Sequence, residues 1–149
     1  MKKTISIVIP CYNEEENVIP LANALRACFR EKMQNYHYEL LFIDNDSQDK
    51  TRENLRALCR EDKGIKAIFN AKNFGQFNSP YYGMLNSTGD ATILMAADFQ
   101  DPVEMIPKFV EAWEEGYRIV IGVKTESNES KLMYALRGIY YKLIRKMSS

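Results

Sequence analysis

Short apolar, β-branched runs alternate with amphipathic stretches along the whole chain, and this alternation constrains the fold more than any single residue does. Ile5–Ile9, Tyr38–Ile43, Ile65–Phe69, Ala91–Met95 and Ile119–Val123 read as five strands. Between the first two, Val18, Leu21, Ala22, Leu25, Cys28 and Phe29 recur at helical spacing and predict a helix over 15–32. Asp49 or Thr51 can cap a second helix carrying Leu55 and Leu58. Ser79 before Pro80 predicts a helix start that runs through Asn86, with Gly89 near its stop. A further helix over 103–115 ends at Gly116. Leu132, Ala135, Leu136, Ile139, Tyr140 and Leu143 fall on one face of a last helix. No internal repeat or low-complexity linker interrupts the series. Such alternation builds right-handed βαβ units, so the expected fold class is α/β, a mostly parallel sheet flanked by helices.

The chain has 149 residues, the length of one domain with a real core. Its formal net charge is zero, so no overall field draws it to nucleic acid. Cys11, Cys28 and Cys59 are odd in number and widely spaced. They fit neither a zinc pattern nor a disulfide framework, and they predict a reducing, cytoplasmic compartment. No apolar run reaches the length of a membrane span. The basic flank at Lys2 and Lys3 is followed by an apolar stretch that Pro10 breaks early, so no signal peptide is read there. The single His37 and Trp113 build no metal or triad cluster.

The unusual polar residues gather just past the predicted strands. Pro10, Tyr12, Asn13 and Glu14 follow the first, and Asp44, Asn45 and Asp46 the second. Asn70, Lys72, Asn73 and Gly75 follow the third, Asp98 and Gln100 the fourth, and Lys124 the fifth. In a parallel sheet these carboxyl ends point the same way, so the segments can converge on one crevice. Neither a Gly-rich dinucleotide turn nor a Lys-Ser/Thr phosphate loop is present. A diphosphate held here would need its charge neutralised otherwise. Hard oxygen ligands at Asp98 and Gln100 suit Mg2+ or Mn2+, with Lys72 or Lys124 adding charge. Tyr12 offers a flat face for a base, and Asn45 or Asp44 offers polar groups for a base edge or ribose.

These motifs resemble a known family. Ser6-Ile7-Val8-Ile9-Pro10-Cys11-Tyr12-Asn13-Glu14 is similar to the opening of family 2 glycosyltransferases, whose fold is the Rossmann-like GT-A type. Asp44-Asn45-Asp46-Ser47-Gln48-Asp49-Lys50-Thr51 resembles the family's second block, usually Asp-Asp-Gly-Ser-x-Asp-x-Thr. Lys72-Asn73-Phe74-Gly75-Gln76 and Gly89-Asp90 resemble two further blocks. Asp98-Phe99-Gln100-Asp101-Pro102 with Glu104 is most similar to the polyprenyl-phosphate, dolichol-phosphate mannosyltransferase-like subgroup, which typically reads Asp-Ala-Asp-Leu-Gln-Asp-Pro-Pro-Glu. The resemblance covers essentially the whole chain. It implies that Pro10, Tyr12, Asn13 and Glu14 line a nucleoside pocket and that Asn45 stands where an aspartate contacts the base. Lys72, Ala97 and Lys124 complete the implied donor-binding set, and Asp98 and Gln100 the implied Mg2+ or Mn2+ site. Lys124 replaces an arginine, giving a point charge in place of a bidentate fork.

The implied reaction transfers a sugar, with inversion, from a UDP-sugar or GDP-sugar to a lipid phosphate or a glycan hydroxyl. A lipid phosphate is already an anion and needs little base help. A hydroxyl would need a carboxylate base, and no residue here is assigned that role. Residues 1–149 therefore read as the nucleotide-sugar-binding portion of a longer enzyme. Its acceptor-side segment and membrane helices are expected elsewhere, and the whole is expected at the inner face of the membrane. Ala96 replaces the first aspartate of the metal motif, and Asn45 and Asp46 replace Asp and Gly. These departures keep open a non-catalytic nucleotide-sugar-binding or scaffolding domain.

Some of the same residues have structural readings. Asp101-Pro102-Val103-Glu104 reads as a helix cap with a first-turn proline, which keeps Asp101 out of the metal set. Asp49 and Thr51 read as helix-start residues, and Glu15 and Glu16 as a solvated first turn. The basic, tyrosine-bearing stretch from Lys131 to Lys146 reads either as a helix packed on its own sheet or as one leaning on anionic headgroups.

Overall fold

A computed structural model describes residues 2–123. Lys124 and the helix expected within 131–146 lie outside the described residues. Four strands, β1 (Thr4–Cys11), β2 (His37–Asp44), β3 (Ile65–Phe69) and β4 (Ala91–Leu94), alternate with four helices, α1 (Val18–Lys32), α2 (Thr51–Glu61), α3 (Gly75–Asn86) and α4 (Ile106–Glu114). The sheet runs β3-β2-β1-β4 and every pairing is parallel. The α/β expectation therefore holds.

Register divides the strands into two faces. Ile7 lies beside Leu40 and Ile93, and Val8 beside Leu41 and Leu94. Ile5, Ile7, Ile9, Leu40 and Phe42 point to the face packed with Leu21 and Leu25 of α1, Leu55 of α2 and Ile106 of α4. Val8, Leu41 and Ile43 form a smaller cluster on the other face. That face carries α3, which approaches closely because Gly83 has no side chain. A Cβ there would lie 2.7 Å from Val8 Cγ1 and from Ile43 Cγ1.

Three helix starts differ from the sequence reading. Helix α1 begins at Val18, because the Glu14 carbonyl first accepts the amides of Asn17 and Val18 in a turn. Glu15 and Glu16 therefore precede the helix. Helix α3 begins at Gly75, not Ser79, and holds Pro80 inside it at the loss of one backbone hydrogen bond. Its first amides are met by side chains: Asn45 Oδ1 accepts from Phe74 N at 2.9 Å and Asn73 Oδ1 from Gly75 N at 2.8 Å. A distant residue thus sets a start that local spacing misplaces. Helix α4 is entered through a 3-10 turn, Val103–Met105. Asp101 does not cap it; its Oδ2 accepts from Ala96 N at 2.9 Å and closes the preceding loop.

The fifth predicted strand is not formed. Ile119–Val123 is irregular, with Ile119 and Ile121 81% and 77% exposed. A run of apolar, β-branched residues makes a strand only beside a partner that takes up the backbone groups. Among the described residues nothing pairs with this segment or with the outer edge of β4. A cleft of about 1030 Å3 separates the two, floored by Ile106, Phe109 and Trp113.

The amino ends of the strands are locked by Glu39, buried on the α3 side of the sheet. Its Oε1 accepts from Lys66 Nζ at 2.6 Å and Thr88 Oγ1 at 2.8 Å. Its Oε2 accepts from Thr88 N at 2.8 Å and from Ser6 Oγ. Burial disfavours the charge, but the hydrogen bonds from Lys66, Ser6 and Thr88 together outweigh it and lower the pKa from 4.5 to about 2. A depressed carboxyl stabilises the fold fully above its unfolded pKa and stops doing so as pH falls through the folded one. Glu39→Gln is expected to lose about 2 kcal/mol at neutral pH. In urea titrations its deficit against the parent should shrink between about pH 4.5 and 2. Gly83→Ala should cost about 2 kcal/mol by overpacking, lowering the urea midpoint at constant slope.

Candidate functional site

Parallel pairing brings four loops to one end of the sheet: 12–17 after β1, 45–50 after β2, 70–74 after β3 and 95–102 after β4. The first two are interlocked. Asn13 N donates to Ser47 Oγ at 2.9 Å, Glu14 N to Thr51 Oγ1 at 2.8 Å and Glu15 N to Asp49 Oδ2 at 3.1 Å. In return Gln48 N donates to Asn13 Oδ1 and Lys50 N to Glu15 Oε2, both at 2.8 Å. Asp49 and Thr51 stand at the start of α2, as read from sequence, and also bind loop to loop. Asp49 Oδ1 also takes Thr51 N at 2.9 Å.

Asn45 joins the second loop to the third. Its Nδ2 donates to Asn73 Oδ1 at 2.9 Å and Gly75 O at 3.3 Å. Its Oδ1 accepts from Asn70 Nδ2 at 3.1 Å and Phe74 N at 2.9 Å. Two donated and two accepted bonds fill the capacity of an amide, and the side chain is buried. Asp44, at the end of β2, is fully buried against Arg52, whose Nε donates to Asp44 Oδ2 at 2.6 Å. Arg52 Nη2 also donates to Asn70 O at 2.6 Å and lies 3.5 Å from Asp46 Oδ1. Sequence reasoning missed Arg52. Its only signal is a cation one residue into the helix that follows three acids and amides.

The fourth loop is built separately. Gln100 N donates to Asp98 Oδ1 at 3.2 Å and Gln100 Nε2 to Asp98 Oδ2 at 2.5 Å. Both side chains are exposed and adjacent, and Gln100 keeps its carbonyl oxygen free of these bonds. Asn13, Asp46 and Phe99, at φ 56°, 70° and 60°, are the non-glycine residues of left-handed backbone among those described. Each sits in a different one of these loops. Strain at non-glycine positions that clusters around one crevice is a mark of a functional site.

The remaining predicted residues fall into two groups. Tyr12 and Lys72 are exposed on loops at this end of the sheet, Lys72 Nζ standing 5.2 Å from the Phe74 ring centroid. Asn13 and Glu14 serve loop structure with their side chains, Glu14 Oε2 accepting from Asn17 Nδ2 at 2.7 Å. Pro10 is partly buried in β1, and the Ala97 methyl belongs to the hydrophobic core. Burial pushes the Cys11 thiol well up, with nearby Glu14 and Asp44 adding to it, so it remains protonated and unsuited to nucleophilic work.

Among the described residues no cluster of three or more His, Cys, Asp or Glu side chains could hold a metal by itself. The donor chemistry of Asp98 and Gln100 still fits a hard divalent cation. Mg2+ is commonly held by one or two carboxylates, with phosphate and water oxygens completing its shell.

The family model described as glycosyl transferase family 2 matches residues 6–148. The chain belongs to that family. A bactoprenol glucosyl transferase of Shigella phage SfX is 32% identical over 146 residues, covering 97% of this chain and 47% of the relative. The chain thus spans about half the length of such relatives. Staphylococcus aureus TarS 1–349 superposes with a TM-score of 0.62 at 19% identity, over 86% of this chain and 40% of that one. The mannosyltransferase PcManGT of Pyrobaculum calidifontis, solved with GDP-Man and Mn2+, gives 0.53 at 15% identity over 68% and 34%. Both show the GT-A-like fold of this family 2 chain. Among its described residues no helix is long and apolar enough to cross a membrane.

Replacing Asn45 with alanine in this family 2 domain should cost about 2 kcal/mol. Hydrogen exchange should quicken across residues 70–75 while β1 and β2 keep their protection.

Proposed function

We propose that this chain is the donor-binding part of an inverting hexosyltransferase that passes a sugar from a UDP- or GDP-sugar to a polyprenyl phosphate. The observation that carries the reading is the set of exposed side chains on three loops at one end of the sheet: Tyr12 after β1, Lys72 after β3 and the paired Asp98 and Gln100 after β4. The bactoprenol glucosyl transferase relative supports a lipid acceptor, and the Mn2+ and GDP-Man of the Pyrobaculum enzyme support the donor and metal class.

In this reading the Tyr12 ring stacks on the base, and Asn45, with Asn13 and Glu14, holds the pocket wall in place. The partly buried Pro10 and the Ala97 backbone flank the donor, and Lys124 adds a cation. Asp98 and Gln100 would hold Mg2+ or Mn2+ through carboxylate and amide oxygens. When bound, the cation supplies positive charge at the diphosphate leaving group. Lys72 adds a second positive charge as the sugar C1–O bond breaks. The acceptor phosphate, an anion already, attacks C1 from the opposite face and needs no base from these residues. The three free cysteines fit a cytoplasmic setting, at a membrane face where a lipid phosphate is met.

Titration calorimetry of UDP and GDP, with and without Mn2+, tests this. One nucleotide should bind at least about tenfold tighter with metal, and Asp98→Ala should abolish the metal's effect. Tyr12→Ala should weaken nucleotide binding by about 1–2 kcal/mol. Failure of both nucleotides to bind with Mn2+ present would overturn the proposal. Ala96, standing where the metal motif has an acid, favours a second reading as a non-catalytic binding domain. Sugar transfer by the entire gene product separates the two.

A further inference from the structure

We propose that the outer face of α3 docks on a lipid bilayer and sets the rim of the crevice at headgroup level. The inference rests on the lipid-phosphate acceptor argued above. Helix α3 has its polarity reversed. The residues it buries against the sheet are Ser79, Pro80 and Gly83, small or polar. The residues it turns outward include Phe77, Leu85 and Tyr81, 79%, 65% and 60% exposed. Their spacing of four places them in one stripe along the helix. Tyr82, 51% exposed, follows Tyr81 on the same outward side of the helix. A contiguous apolar patch of this kind marks an interaction surface.

Three observations favour a bilayer as the occupant. No charged residue occurs from Asn73 to Gly89, so the helix carries nothing that hydrocarbon would reject. Its large exposed side chains are mainly Phe and Tyr, the types that settle at the membrane–water boundary. The nearest cation, Lys72, stands at the crevice end, where it would meet a lipid phosphate. Geometry then links the surface to the site. Helix α3 starts at the crevice, with Phe74 N bonded to Asn45, and runs back along the sheet. Laid flat on a membrane, it brings the crevice rim to the depth at which an acceptor's phosphate lies.

Co-sedimentation of the full 149-residue chain with phosphatidylcholine vesicles tests this. Neutral lipid separates the apolar contact from the basic residues between Lys131 and Lys146. The parent chain should pellet with the vesicles. A Phe77→Ser, Tyr81→Ser, Leu85→Ser triple variant should partition at least about tenfold less. An Ile119→Ser, Ile121→Ser control, equally exposed but off α3, should behave as the parent. Circular dichroism and urea midpoints should be unchanged, since all five positions are on the surface. Equal partitioning of the triple variant and the parent would overturn the proposal, as would a parent chain that stays in the supernatant. A parent dimer that the triple variant turns into a monomer would assign the face to a second copy and overturn it too. Nucleotide titration with Mn2+ on the same samples separates the two ideas. Nucleotide binding without vesicle binding defeats the docking surface alone.

Discussion

A single buried amide organises the crevice. Asn45 leaves the end of β2 and satisfies groups on Asn70, Asn73, Phe74 and Gly75. Without it the loop after β3 has no fixed course, α3 has no defined start, and Lys72 has no fixed address. Buried polar groups that are fully paired specify one arrangement strongly, because each alternative leaves donors or acceptors unmet. The neighbouring Arg52 repeats the device, joining Asp44 and the Asn70 carbonyl across the same gap between strands.

Much of the architecture was legible in the sequence. The first four strands, the order of elements and the parallel sheet followed from apolar runs alternating with helical spacing. These signals are local, and the structure keeps them. What was misread depended on contacts distant in sequence. The start of α3 is fixed by an amide on β2, so Ser79-Pro80 misled. The segment Ile119–Val123 has the right pattern, but a strand is a relation between two segments and its pattern describes only one. For the site, residue type singled out the loops at the carboxyl ends of the strands, yet it could not separate side chains that are exposed there from those that brace the loops. Tyr12, Lys72, Asp98 and Gln100 are turned to solvent, whereas Asn13, Glu14 and Asn45 are occupied by the loops. Arg52 went unseen because a cation early in a helix is ordinary until its buried partner Asp44 is known.

The two ends of the sheet are held by different means. At the amino ends, Glu39 gathers Ser6, Lys66 and Thr88 beneath the sheet and is buried there. At the carboxyl ends, polar loops brace one another and carry three left-handed, non-glycine residues. Among the described residues, left-handed non-glycine backbone is confined to the carboxyl ends, where the surrounding hydrogen bonds hold it.

The Asp98–Gln100 loop is closed on itself, through Asp101 to Ala96 and Gln100 to Asp98, while the other three loops are cross-bonded. The crevice is therefore modular. In the proposed function one module, the three cross-bonded loops, would read the nucleoside, and the other, the self-closed loop, would handle the phosphates. On that reading, changes in metal or sugar preference could accumulate in the second without disturbing base recognition in the first. A lineage built on this plan would then diversify its donors by redrawing seven consecutive residues, Ala96 to Pro102.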